Sequence, residues 1–198
     1  MKTKERFIEH YKNGYMPWAH NEVDYNLVEI VELYPIEPCK TLEIGCGTGT
    51  DAIWLAEQGF DVTAYDASEI AIGLAKEKLD KKDVKCNFQV LDFLTEKIEN
   101  KPFELVFDRG FFHSFDSEKK RKKFAKKVAS NLANNGLWLT LVGSKDRPKT
   151  DSGPPRRSAL DIIAAAEPYF KILSLNASYF GNEQPDPAQN WVCLMQKR

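Results

Sequence analysis

Hydrophobic positions along the chain follow two rhythms. Between Glu22 and Leu33, the residues Val23, Leu27, Ile30, Val31 and Leu33 recur near the i, i+4, i+7, i+8 spacing of a helix with one apolar face. Pro35 and Pro38 then punctuate the chain. Beyond them, short apolar runs alternate with helical stretches. The runs predict strands over 41–44, 61–65, 88–91, 103–107 and 137–142, and helices over 51–58, from Ser68 to about Leu79, and over 118–132. Gly59 is placed to stop the first of these helices, and the Ser68 hydroxyl to cap the second. A helix over 158–166 and strands over 170–175 and 191–195 complete the pattern, and no internal repeat is visible. Strands joined through helices require crossover connections, hence a largely parallel sheet covered on both faces. The expected fold is α/β: a doubly wound, mostly parallel, seven-stranded Rossmann-like sheet with a short N-terminal helical extension. Residues 1–38 form the extension and 39–198 the main domain.

Composition narrows the class. A chain of 198 residues is one domain's worth, and 28 Lys plus Arg balance 29 Asp plus Glu. That balance argues against coating nucleic acid or an anionic membrane. Residues 119–127 read KKRKKFAKK, which could suggest RNA. However, Phe124, Val128 and Leu132 make an i, i+4, i+8 stripe that faces a core, leaving the lysines to cover the solvated side. Cys39, Cys46, Cys86 and Cys193 form no CxxC or Cys/His spacing, so neither a metal site nor a disulfide framework is expected. The start MKTKERFIEH has no apolar run behind its charges, and no stretch nears 18 apolar residues. A cytoplasmic protein with no membrane partner is the expectation.

The most informative segment is Leu42-Glu43-Ile44-Gly45-Cys46-Gly47-Thr48-Gly49-Thr50, between a strand and a helix. Glycines there let the chain turn sharply and let a ligand approach the backbone. Asp66 ends the next strand, where a carboxylate can accept hydrogen bonds from ribose hydroxyls. Thr50 breaks the G-x-G-x-x-G/A dinucleotide fingerprint. The G-x-G-x-G spacing with Glu43 ahead of it instead resembles motif I of class I S-adenosylmethionine-dependent methyltransferases. The resemblance implies S-adenosyl-L-methionine as cofactor and S-adenosyl-L-homocysteine as product. It places Glu43 near the amino acid end of the cofactor, Gly45, Cys46, Gly47 and Gly49 in its turn, and Asp66 with Ala67 at the ribose. It also places Asp92, beside Phe93, at the adenine amino group, with Ile70 and Leu91 able to supply apolar contact to the ring.

A second segment, Phe107-Asp108-Arg109-Gly110-Phe111-Phe112-His113, closes the fourth strand, where ligands of open α/β sheets bind. With Gly153-Pro154-Pro155 and Pro17-Trp18, it resembles the thiopurine S-methyltransferase group, and the stretch from Gly45 to Ser68 also resembles the related halide/thiol methyltransferases. The similarity runs from about Pro17 to the C-terminus. It implies that Arg109 lies at the active site near cofactor and acceptor, with Asp108 beside the cofactor. Trp18, and with it Tyr11 and Tyr15, would close over the cofactor, which makes residues 1–38 a lid. Ala19-His20 stands where relatives often carry an acidic residue.

The implied reaction is in-line methyl transfer to a small molecule, most readily to sulfur, because thiols ionise near pH 8.5 with little help. An oxygen or nitrogen acceptor would profit from a base, for which His113 is the histidine nearest in sequence. A bland alternative for His113 is a hydrogen-bonded loop or core histidine. A nucleotide-binding oxidoreductase, disfavoured by Thr50, and a non-catalytic cofactor- or RNA-binding module are the other classes left open. The acceptor's identity and the oligomeric state are not encoded in any motif.

Overall fold

A computed structural model describes residues 3–146, 155–181 and 186–198. Seven strands form one sheet: β1 (Lys40–Ile44), β2 (Asp61–Asp66), β3 (Cys86–Val90), β4 (Phe103–Arg109), β5 (Leu132–Gly143), β6 (Phe170–Tyr179) and β7 (Gln189–Lys197). Their order is β3-β2-β1-β4-β5-β7-β6. The first five pair in parallel, and β7 runs antiparallel to both β5 and β6. The helices are α1 (Thr3–Lys12), α2 (Tyr25–Leu33), α3 (Thr50–Glu57), α4 (Glu69–Leu79), α5 (Glu118–Asn131) and α6 (Ala159–Ala166). The doubly wound fold expected from the apolar rhythm is therefore present.

Alternation along each strand divides the core in two. Leu105 and Phe107 of β4 and Leu139 and Leu141 of β5 pack with Leu27 of α2, Leu55 of α3 and Ile72 of α4. Val106, Trp138 and Val142 point the other way, against Phe124 and Val128 of α5 and Ile162 of α6. The stripe on the basic helix is thus core, as its spacing predicts: Phe124 and Val128 are fully buried and its lysines lie outside. Arg121 is the exception. It is buried, donating to the Phe115 and Asp116 carbonyls and to Asp161 at 2.7 Å.

Local chemistry sets the ends of the elements. Helix α2 starts at Tyr25 rather than Glu22, because Asp24 is extended and its carboxylate accepts the Asn26 N–H. Ser68 caps α4 by accepting from Ala71, and Ser158 and Asp161 form a reciprocal capping box on α6. Strand β5 begins five residues before the predicted 137: Leu132 pairs with Phe103, the register shifts, and regular pairing resumes at Leu137. Both C-terminal strands also exceed their apolar runs, since partners on an antiparallel hairpin extend into polar sequence.

Phe124→Ala should lower unfolding free energy by about 3–5 kcal/mol in a denaturant titration. Lys123→Ala on the same helix, exposed and outside the stripe, should change it by no more than about 0.5 kcal/mol.

Candidate active site

Strand order reverses between β1 and β4, so the loops leaving their carboxyl ends diverge and open a crevice. A cavity of about 780 Å³ lies there, roofed by α1 and the segment after it and lined by both loops. Gly45 and Gly47 take left-handed conformations, φ 70° and 55°. A Cβ on Gly45 would stand 2.6 Å from the Phe111 ring, and one on Gly47 3.1 Å from the Tyr11 hydroxyl. The loop is therefore a cradle only while these positions lack side chains. Gly49 packs elsewhere, against Phe88 and Ala75 rather than the cavity.

Carboxylates gather at this end. Asp66 accepts from the Gly47 N–H at 3.1 Å and the Ser68 N–H at 2.9 Å, so it holds the loop it borders. Burial pushes its carboxyl above the usual range, against those hydrogen bonds. Glu43 is buried at the cavity wall, and its Oε2 has no hydrogen-bond partner. Burial first, and then the nearby Asp51 charge, hold the Glu43 carboxyl well above its ordinary value. An orphaned buried carboxyl oxygen carries a penalty that a cationic ligand would remove. Ala67, Asp92 and Phe93 also line the cavity, as does Cys46, whose thiol burial pushes up. Asp92 accepts from the Leu94 N–H at 3.0 Å. Of the two apolar candidates, Leu91 lines the cavity, whereas Ile70 is exposed on α4 and does not.

The N-terminal segment is held together by aromatic contacts. Trp18 Nε1 donates to the Tyr11 hydroxyl at 3.1 Å, and the His10 ring stacks on Trp18 at 5.6 Å. Burial, together with the Asp66 charge, raises the Tyr11 phenol, so it stays protonated above the glycine loop.

Arg109 lines the cavity, but its guanidinium is committed. Nε donates to Asp24 at 2.7 Å, and the terminal nitrogens donate to the Trp18 carbonyl at 3.2 Å and the Gly181 carbonyl at 2.9 Å. The guanidinium also lies over the Phe180 ring, 5.0 Å from its centroid. Asp108 does not reach the cavity lining. Fully buried, it accepts from the Phe112 N–H and from Trp138 Nε1, and burial pushes it up to about 6. Its place is beneath the loop, and this corrects the expectation that it touches the cofactor.

His113 lines the cavity from the short 3-10 turn Phe112–Ser114. Its Nδ1 accepts the Gly143 N–H at 2.9 Å. Burial first, then the Arg157 and Arg109 charges, lower its pKa to about 3. The ring is therefore neutral with its proton on Nε2, a donor toward the cavity rather than a base.

Two groups in or beside the site carry no motif. Asp51, in the first turn of α3, accepts from the Asp24 N–H at 2.9 Å and meets His20 Nε2 at 3.1 Å. Burial opposes its ionisation, but His20 and Arg109 outweigh that and lower its pKa. Lys78 reaches from α4 to the Thr48 and Thr50 hydroxyls at 3.0 and 2.9 Å. An acid in a first helical turn is too common a preference to single Asp51 out from sequence. Gly153 and Pro154 lie outside the described residues, while Pro155 lines the cavity.

A nucleotide-sized crevice at the switch point, with an orphaned acid near the carboxyl end of β1 and a second acid at the end of β2, defines a class I S-adenosylmethionine-dependent methyltransferase fold. Residues 2–179 match the family model "Thiopurine S-methyltransferase (TPMT)", and the chain belongs to that family. It is 33% identical over 114 residues to a "Probable S-adenosyl-L-methionine-dependent methyltransferase TehB" of Haemophilus influenzae, covering 57% of this chain and 40% of that protein. It is 28% identical over 144 residues to "Probable thiol methyltransferase 2" of Arabidopsis thaliana, covering 72% of this chain and 62% of the relative. The chain thus spans less than two thirds of either relative. A solved structure described as "Conversion of a Disulfide Bond into a Thioacetal Group during Echinomycin Biosynthesis" has the same fold, with a TM-score of 0.84 and 22% identity, covering 98% of this chain and 91% of that one.

His113 gives a pH signature. Unfolded, it takes up a proton near pH 6.5, whereas folded it does so only near 3, so the unfolded chain binds more protons in between and stability rises with pH. Asp108, raised in the fold, acts in the opposite sense between its ordinary range and about 6. The difference between wild type and His113→Asn isolates the histidine. It should grow by about 1.4 kcal/mol per pH unit between roughly pH 4 and 6, read from denaturant titrations.

Proposed function

We propose that this protein is a methyltransferase that uses S-adenosylmethionine to methylate a small molecule at sulfur. Family membership supports the reaction class, and a thiol methyltransferase among the relatives supports the acceptor atom. The residues present fit the cofactor. The orphaned Glu43 oxygen is a partner for its ammonium group, Gly45 and Gly47 leave room for it, and Asp66 stands where ribose hydroxyls would bind. When bound, the cofactor supplies a methyl group already activated on a sulfonium.

The remaining work belongs to the chain: excluding water under α1, fixing the acceptor in line, and presenting hydrogen-bond donors. The observation that carries sulfur over oxygen or nitrogen is His113. Its lone pair is taken by the Gly143 N–H, so it cannot withdraw a proton from an acceptor. His20 has its ring nitrogens against the Trp18 carbonyl and Asp51. An acceptor that ionises unaided suits such a site, and a thiol, ionising near pH 8.5, does so more readily than a phenol. A second reading, transfer to oxygen or nitrogen, would draw on His10, whose Nδ1 is buried without a partner on the lid. A panel of thiols, phenols and amines separates the two.

Calorimetric titration should show S-adenosylhomocysteine binding at micromolar levels and NAD not binding. Asp66→Ala should raise the dissociation constant at least about tenfold, the equivalent of one ribose hydrogen-bond pair. Binding of NAD, or unchanged affinity in the variant, would contradict this reading.

A further inference from the structure

The imidazole on the turn after β4 is held on three sides and keeps one hydrogen unspent. From β5, the Gly143 N–H donates to His113 Nδ1 at 2.9 Å. A protonated ring carries hydrogens on both nitrogens and could not accept there, so this contact selects the neutral ring with its hydrogen on Nε2. From the β4 loop, Gly110 makes room for the ring, since a Cβ there would lie 3.1 Å from Nε2. Just past β6, the Phe180 ring stands roughly perpendicular to the imidazole, 6.1 Å between centroids. His113 is only 6% exposed and lines the cavity, yet its Nε2–H has no protein partner among the described residues.

The charged groups around the ring are spent on one another. Arg157, ahead of α6, pairs with Asp116, and Arg109, at the end of β4, pairs with Asp24. After burial itself, these two arginines oppose a second proton on His113. Lys145, beyond β5, pairs with Asp161, and Asp108 accepts from the Phe112 N–H and Trp138 beneath the loop. Phe111 and Phe115, edge to face at 5.5 Å, give the cavity an apolar wall. The free Nε2–H is thus a neutral donor of fixed direction in a largely buried place. A donor so placed favours a ligand that accepts from it, and an anion most, because charge-assisted hydrogen bonds are roughly twice as strong as neutral ones.

We propose that His113 Nε2–H is the group that receives the acceptor's sulfur, holding it as the thiolate and shifting its ionisation toward neutral pH. This rests on the methyltransferase reading and gives it a residue that touches the acceptor. The S–H bond breaks with its proton passing to solvent, since His113 has no lone pair to take it. A thiolate electron pair then forms the new bond to the methyl carbon as the bond from that carbon to the sulfonium breaks, leaving its electrons on the departing thioether. A donor to a thiolate also weakens it as a nucleophile, so two effects compete. Lowering the thiol's pKa by one unit gives about ten times more thiolate at pH values below it. A Brønsted slope of about 0.4–0.5, as thiolates show in displacement at sulfur, slows each thiolate by only about threefold. The larger population wins, and the donor speeds transfer.

The test follows the ionisation of thiophenol, whose anion absorbs at longer wavelength than the thiol, bound to protein saturated with S-adenosylhomocysteine so that no methyl is transferred. His113→Asn keeps an oxygen to accept the Gly143 N–H and loses the donor. Bound thiophenol should ionise at a pH at least about one unit lower in the wild type than in His113→Asn, a tenfold difference in thiolate. S-adenosylhomocysteine affinity should stay within about threefold. A second measurement needs no variant: in the wild type, the His113 Nε2–H proton resonance should move downfield when thiophenol binds. Equal ionisation in the two proteins, an unmoved resonance, or no binding of thiophenol would overturn the donor role alone. Failure of S-adenosylhomocysteine itself to bind would instead overturn the methyltransferase reading beneath it.

Discussion

The contact between Arg109 and Asp24 joins parts of the chain that no sheet hydrogen bond connects. Asp24 is fully buried and uses nearly all its capacity: one oxygen caps α2 and meets the Asn26 amide, and the other accepts from Arg109 and the Gly181 N–H. Its own N–H goes to Asp51. Arg109 in turn holds the Trp18 and Gly181 carbonyls. The pair therefore ties the N-terminal segment, the end of β4 and the turn after β6 to one another. Removing either partner would leave a buried charge uncompensated, at a cost of about 3–5 kcal/mol. The arginine of the DRG motif accordingly builds the walls of the site, and any contact with ligand is made by a group whose position is already fixed.

From that anchor the cavity acquires its properties. The segment carrying Trp18 is held at its carbonyl by Arg109, and through Trp18 the rings of Tyr11 and His10 are set over the glycine loop. Beneath, Asp66 braces the same loop through the Gly47 N–H. Among the described residues, the polar groups left at the cavity differ in kind: an unpartnered acid at Glu43, an unpartnered ring nitrogen at His10 and a neutral donor at His113. Such a site orients and desolvates reactants and supplies little proton transfer, which suits a reaction whose donor is already activated.

Much of this was legible in the sequence, for reasons that differ by element. Strands β1 to β5 and their helices were readable because burial on two faces writes continuous apolar runs and one-sided stripes. The glycine loop was readable because left-handed backbone restricts the residue type. Motif resemblance brought Glu43, Asp66, Asp92, Arg109 and Trp18 to one cavity, where they are found. Asp108 shows the limit: proximity along a strand cannot say which face a side chain takes, and this one points into the core against Trp138. Partners distant in sequence were invisible for the same reason. Asp24 and Arg109 are 85 residues apart, and His20 and Asp51 are 31 apart, so only the folded chain pairs them. The pocket chemistry of His113 was equally hidden, because it is decided by one backbone N–H on a neighbouring strand.

The central claim is that the buried pair, rather than the motif's local chemistry, holds the N-terminal segment over the site. Hydrogen exchange in wild type and Asp24→Asn tests it most directly, since Asp24 does not line the cavity and the substitution keeps its size. The account predicts exchange at least about tenfold faster in residues 5–20 of the variant, the consequence of losing one buried charge pair, with β1, β2 and β4 unchanged. Unchanged exchange in that segment would show that it is held by something else and would contradict the account.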